Sequence, residues 1–152
     1  MSRDLADLAP YVAEVAKELL AACYAKGLFL IITQTKRTVA EQQALYDQGR
    51  IRDGKIVTNA RPGDSPHCPP NDFPALAFDV AFKVPESGIV TWEPPEGRSW
   101  FEVGRIGESL GLVWGGSWKG FPDRPHFEWA DWRQVAAGGD PTGGSVASGG
   151  GS

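Results

Sequence analysis

Cysteine, histidine and basic charge are all scarce in this sequence, and long apolar runs are missing. Two cysteines, Cys23 and Cys68, leave room for one bridge at most, so a disulfide framework is excluded. Cys23 falls on the apolar face of an expected helix, where a thiol packs as a small hydrophobe. Fifteen Lys and Arg stand against nineteen Asp and Glu, for a net charge of −4. No basic cluster marks a nucleic-acid face, and a small-molecule or peptide substrate fits better. No stretch is apolar enough to cross a membrane. Residues 19–23, Leu-Leu-Ala-Ala-Cys, have the outline of a lipoprotein cleavage site. Glu14, Lys17 and Glu18 interrupt the apolar segment that such a signal needs, so no export signal is expected.

What is present suits one domain with a real core. The chain has 152 residues, of which 41% are hydrophobic. Residues 1–137 read as the domain. From Gly138 the composition turns to Gly, Ser and Thr, so residues 138–152 are expected to be a flexible tail or linker. Along the domain, Leu8, Val12, Val15, Ala16, Leu19, Leu20 and Cys23 follow helical spacing, with Asp7 as cap and Gly27 as stop. Residues 28–33 read as a buried strand. Thr38 and Glu41 form a capping box that opens a second helix, with Leu45 and Tyr46 facing inward. Residues 50–75 form a long loop, of a length that is usually functional or disordered. A strand is expected at 75–82 and a short one at 89–91. Ser99 and Glu102 form a second capping box, opening a helix with Phe101, Ile106 and Leu110 inside. Short strands at 112–114 and 127–129 and a last helix from Asp131 complete the pattern. The fold class is therefore α+β.

The two histidines of the chain sit in polar, Pro-containing loops beside strands. His67 lies in Ser65-Pro66-His67, ahead of Ala77-Phe78-Asp79; His126 lies in Asp123-Arg124-Pro125-His126-Phe127-Glu128. A catalytic zinc site takes three ligands from imidazole and carboxylate and keeps one position open. His67, Asp79 and His126 supply such a set, and Asp123 is a spare carboxylate for proton transfer. A histidine beside a strand is more often a hydrogen-bonded structural residue, so spacing alone does not make a metal site.

Longer motifs carry more weight. Residues 57–67, Val-Thr-Asn-Ala-Arg-Pro-Gly-Asp-Ser-Pro-His, followed by Ala-Leu-Ala-Phe-Asp at 75–79, resemble the first metal motif of the LAS-type or M15 peptidases. Trp114-Gly115-Gly116-Ser117-Trp118-Lys119 with the 123–128 segment resembles the second motif, most closely that of the L-alanyl-D-glutamate endopeptidases. Residues 32–38, 41–42 and 45–50, with Arg37, match the same branch. The resemblance implies zinc (Zn²⁺) held by His67, Asp79 and His126. It makes Asp123 the general base and acid, and Arg37 the group that steadies the oxyanion. Ser65 and Trp118 are expected to contact substrate. The family usually places its aspartate seven residues after the first histidine. Here the gap is twelve, with five residues inserted around 68–72. Cys68 and Asp72 are rival ligands; Asp79 is preferred because it opens an apolar strand.

The expectation is thus a small, mostly antiparallel sheet with packed helices and zinc in a cleft at the sheet. The implied function is hydrolysis of the L-Ala–D-Glu bond of bacterial peptidoglycan, as the catalytic domain of a phage endolysin. Such a protein would act as a monomer, without nucleic acid or membrane, and would wait in the host cytoplasm before release to the wall. A D-Ala-D-Ala carboxypeptidase or dipeptidase is the alternative within the family, and a non-catalytic wall-binding module the alternative outside it. Arg124 and Lys119 are candidates for reading the free carboxylate of D-Glu. Glu128 is either a partner of the neighbouring ligand or a solvated charge. Gly115-Gly116 either admits substrate backbone or makes a turn.

Overall fold

The computed structural model describes residues 1–142; the part of the expected tail at 143–152 lies outside them. The first helix, α1 (Pro10–Ala25), opens on proline, whose missing amide costs nothing at that position. Asp7 is therefore not its cap. It belongs to a preceding 3-10 turn, Leu5–Asp7, capped by Asp4. Val12, Ala16, Leu19 and Cys23 are buried along one side of α1. Gly27, at φ 78°, provides the left-handed stop.

After β1 (Leu30–Gln34), the expected capping box starts α2 (Val39–Asp47). Thr38 Oγ1 accepts from the Glu41 amide at 3.1 Å, and Glu41 Oε1 accepts from the Thr38 amide at 2.8 Å. Leu45 and Tyr46 are only partly buried; the buried residue of α2 is Gln42. The long loop comes next, with one 3-10 turn at Pro70–Asp72, then β2 (Ala77–Lys83) and the short β3 (Val90–Thr91). The chain continues through α3 (Trp100–Ser109), β4 (Leu112–Trp114), β5 (His126–Trp129) and α4 (Trp132–Ala136).

The five strands make one antiparallel sheet in the order β1-β2-β5-β4, with β3 paired to the far end of β2. Alternation along each strand gives this sheet two unlike faces. Phe78, Val80 and Phe82 of β2, Phe127 of β5, and Leu112 and Trp114 of β4 join the core with α1 and α3. Asp79, His126 and Glu128 point the other way. α1 and α3 pack on the first face and leave the second to carry chemistry.

Two glycines set how closely α3 meets the sheet. A Cβ on Gly104 would lie 2.3 Å from the Trp114 ring, and one on Gly107 would lie 2.3 Å from the Phe127 ring. These rings occupy the space that side chains would have taken. This is why Phe101, expected inside, is 54% exposed. The buried side of α3 is Trp100, Val103, Gly104 and Gly107. At the other end, Gly138 and Gly139 donate to Val135 and Gln134, and Trp129 Nε1 donates to Pro141 O at 2.9 Å.

Candidate metal centre and cleft

The site is assembled where β1, β2 and β5 run side by side. Asp79 of β2 lies opposite His126 of β5 in register. On its other side it faces Gln34, after a bulge in which Thr33 is the extra residue of β1. Such a bulge bends the strand and re-aims the residues beyond it. Here those residues are Thr35 to Arg37, the stretch that holds His67. Thr35 O takes His67 Nδ1 at 2.6 Å, and the Arg37 amide donates to His67 O at 2.8 Å.

His67, Asp79 and His126 each offer a ligand atom, and these atoms lie within 4.8 Å of one another. Asp79 Oδ1 is 3.3 Å from His67 Nε2 and 3.2 Å from His126 Nδ1. The outward nitrogens are spoken for: His67 Nδ1 by Thr35 O, and His126 Nε2 by Glu128 Oε1 at 2.7 Å. Metal-binding histidines are held in this way, each with its second nitrogen on a carbonyl or carboxylate. The donor set, two imidazoles and one carboxylate converging in a buried spot, fits zinc.

The charges support one another. Burial works against ionised Asp79, but the two imidazoles outweigh it and hold the carboxyl far below the usual range. Burial also opposes charge on His126. Its bonds to Asp79 and Glu128 win, and its pKa rises to about 9. Asp123 stands at the cleft mouth, exposed as a residue but with its carboxyl crowded. Burial raises its pKa, and the Asp79 charge adds to the rise against the pull of His126, His67 and Arg37. Burial pulls the Arg37 pKa down, opposed first by Asp79 and then by Asp123.

The cleft beside these residues is a cavity of about 430 Å³, whose wall includes Arg37, Ser65, His67, Trp118, Asp123 and His126. All seven residues singled out from the sequence thus lie at one place, Asp79 being joined through its bonds to both histidines. Ser65 Oγ accepts from the His67 amide at 3.2 Å. The Trp118 ring lies 5.2 Å from the His126 ring. Arg37 donates to Gln42 Oε1 at 3.0 Å and also to Gln34 Oε1. Its Nε is the one buried side-chain polar atom without a partner among the described residues. A second cavity, of about 460 Å³, touches Asp79 from the other side and includes Arg3, Thr33 and Trp92. The cluster thus borders two cavities.

The insert at 68–72 supplies no ligand to the cluster. Asp72 is exposed and pairs with Lys36 Nζ at 2.7 Å, while Cys68 is buried outside the ligand group. Gly115 and Gly116 serve packing. A Cβ on Gly115 would meet Asp123 O at 2.4 Å, and one on Gly116 would meet the Trp114 ring at 2.1 Å. Arg124 and Lys119 are exposed and not on the cleft wall; the arginines there are Arg37 and Arg133. Gln42 and Thr35 escape a reading of the sequence, because neither a buried glutamine in a polar helix nor a carbonyl acceptor leaves a periodic signal.

The fold and the site together suit a metal-dependent hydrolase. The sequence profile of a peptidase family, M15, described as D-alanyl-D-alanine carboxypeptidase, matches residues 61–129. The chain is 41% identical over 128 residues to the peptidoglycan L-alanyl-D-glutamate endopeptidase CwlK of Bacillus subtilis (strain 168), covering 80% of this chain and 73% of that protein. Its fold is similar to that of VanY, a vancomycin-resistance D,D-pentapeptidase solved with Zn(II). That likeness has a TM-score of 0.59 at 16% identity, over 86% of this chain and 76% of the other. The chain belongs to the M15 family of zinc metallopeptidases, in its L-alanyl-D-glutamate endopeptidase branch.

Proposed function

We propose that this protein hydrolyses the amide between L-Ala and D-Glu in the peptide of bacterial peptidoglycan, with zinc held by His67, Asp79 and His126. The observation that carries the reading is the meeting of these three ligand atoms within 4.8 Å, beside a cavity that Asp123 and Arg37 also line. When bound, zinc supplies Lewis-acid polarisation and makes water acidic enough to ionise near pH 7. Asp123 takes a proton from the attacking water and returns it to the leaving amine. The crowding that raises its pKa also suits it to give the proton back. Arg37, held by Gln34 and Gln42 with Nε unpaired, is poised for the oxyanion, and a fixed cation aimed at developing charge is a large catalytic contribution. Ser65 and Trp118 contact the substrate from the cavity wall.

The cavities on both sides of Asp79 support cleavage inside a chain. The finer reading is the catalytic domain of a phage endolysin, working as a monomer, made in the host cytoplasm and acting on the wall. The Gly- and Ser-rich composition after Gly138 suits a linker, and no helix of the described residues is long and apolar enough to cross a membrane. Digestion of purified wall with subsequent mass spectrometry tests the activity. New amino termini on D-Glu and new carboxyl termini on L-Ala are expected. Release of free D-Ala with the L-Ala–D-Glu bond intact would move the protein to the carboxypeptidase side of its family.

A further inference from the structure

Building on the proposed cleavage of the L-Ala–D-Glu amide, we infer that Arg133 pairs with the free α-carboxylate of the substrate's D-Glu and sets the preference at that residue. The chemistry of the bond fixes where this carboxylate lies. The D-Glu nitrogen is the leaving amine, and the α-carboxylate is attached to the same α-carbon, because the wall peptide continues through the γ-carboxyl. A group that protonates the nitrogen therefore has the carboxylate close beside it. Asp123, the proton donor of the proposed reaction, lines the 430 Å³ cavity and not the second one. The D-Glu half of the substrate belongs in that first cavity, with its anion near an acidic side chain, where a cation must balance it.

The cavity wall holds two arginines. Arg37 is committed: its terminal nitrogens are bound to Gln34 and Gln42. Arg133 is available. Its guanidinium lies 4.5 Å over the ring of Trp132, which is itself buried. This cation–π contact holds the guanidinium at the cavity wall. Its ion pair with Asp64 is loose, at 3.7 Å with both side chains about two-thirds exposed, and its hydrogen bond to Asp64 O is long at 3.4 Å. A pair of this kind is weak and gives way readily. A carboxylate that accepts two parallel bonds from a guanidinium fork is the stronger partner.

The test uses zinc-loaded protein and two peptides. One is N-acetylmuramoyl-L-Ala-γ-D-Glu-L-Lys-D-Ala; the other is the same compound with the D-Glu α-carboxyl amidated. The acid form should be cut with roughly tenfold higher kcat/KM, the lower end of what a charged hydrogen bond contributes. Arg133→Gln should bring the acid peptide down to the rate of the amide, chiefly through KM, with zinc content unchanged. Arg133→Lys should keep part of the preference, since it retains the charge without the fork. Equal cleavage of the two peptides by the unchanged protein, or a preference that survives Arg133→Gln, overturns the assignment. Failure of the unchanged protein to cut either peptide overturns the endopeptidase reading itself, and this assignment with it.

Discussion

Gln42 has no solvent exposure, and both ends of its amide are used: Oε1 accepts from Arg37 and Nε2 donates to Ala60 O at 2.8 Å. Gln42→Ala strands both partners, so it should lower kcat by misplacing Arg37 and cost about 1–3 kcal/mol of stability. Steady-state kinetics and urea unfolding would measure the two effects. Asp123 should behave differently. Asp123→Asn should keep fold and zinc and lose roughly 10²–10⁴-fold in rate, the usual worth of a general base. Near-normal turnover would point to another carboxylate. Glu128→Gln weakens the grip on His126 Nε2 and should reduce zinc affinity by about 10- to 100-fold, as read by competition with a chelator.

The same residues predict a pH dependence. In zinc-free protein the raised pKa of His126, about 9, stabilises the fold fully below its unfolded pKa of roughly 6.5. That contribution disappears as pH rises through about 9. Asp79, whose pKa is depressed, stabilises above roughly pH 4 and loses its effect as pH falls further. Zinc must displace the proton from His126, so its affinity should climb between pH 6.5 and 9. Thermal melts of zinc-free protein should therefore fall across that window while the gain from added zinc grows. Melts that are flat in both conditions would count against this protonation of His126.

At the scale of elements, α3 rests on two strands through the missing side chains of Gly104 and Gly107. Glycine inside a helix normally costs about 1 kcal/mol against alanine, so Gly→Ala is ordinarily stabilising there. In α3, Gly107→Ala should instead destabilise by roughly 1–3 kcal/mol, since the Phe127 ring has nowhere to go. Because β5 also carries His126, zinc retention should suffer with it; chemical denaturation and metal content are the readouts. The same packing explains what the sequence conceals. Thr38 with Glu41, and Gly27, are local devices whose partners lie within a few residues, so they are legible directly. Phe101 misleads because hydrophobic size suggests burial, while the true contact surface of α3 includes two residues with no side chain. Asp7 is not the expected cap, because the N-cap position falls on Ala9, two residues on, and Pro10 opens the helix. The metal residues are legible only through motif resemblance, since His67, Asp79 and His126 meet through strand register and a bulge that no periodicity encodes.

Across the whole molecule, the sheet divides labour between its faces. One buries Phe78, Phe127 and the helices; the other presents the metal cluster between two cavities. The insert lies outside both. Its ends are tied down, Gly63 donating to Cys68 O at 2.9 Å and Lys36 Nζ to Asp72 O at 3.2 Å. Cys68→Ser and Asp72→Ala should therefore leave zinc content near one per chain, whereas Asp79→Ala should lose it. Retained zinc in Asp79→Ala would reopen the ligand assignment.

The tip of that insert has a practical use. Asn71 and Asp72 both adopt left-handed backbone and stand in solvent, and the loop there is already five residues longer than the family spacing. Lengthening an exposed loop adds little closure entropy. A short epitope or a fluorophore-bearing peptide spliced between Asn71 and Asp72 would ride on the folded core of the protein itself.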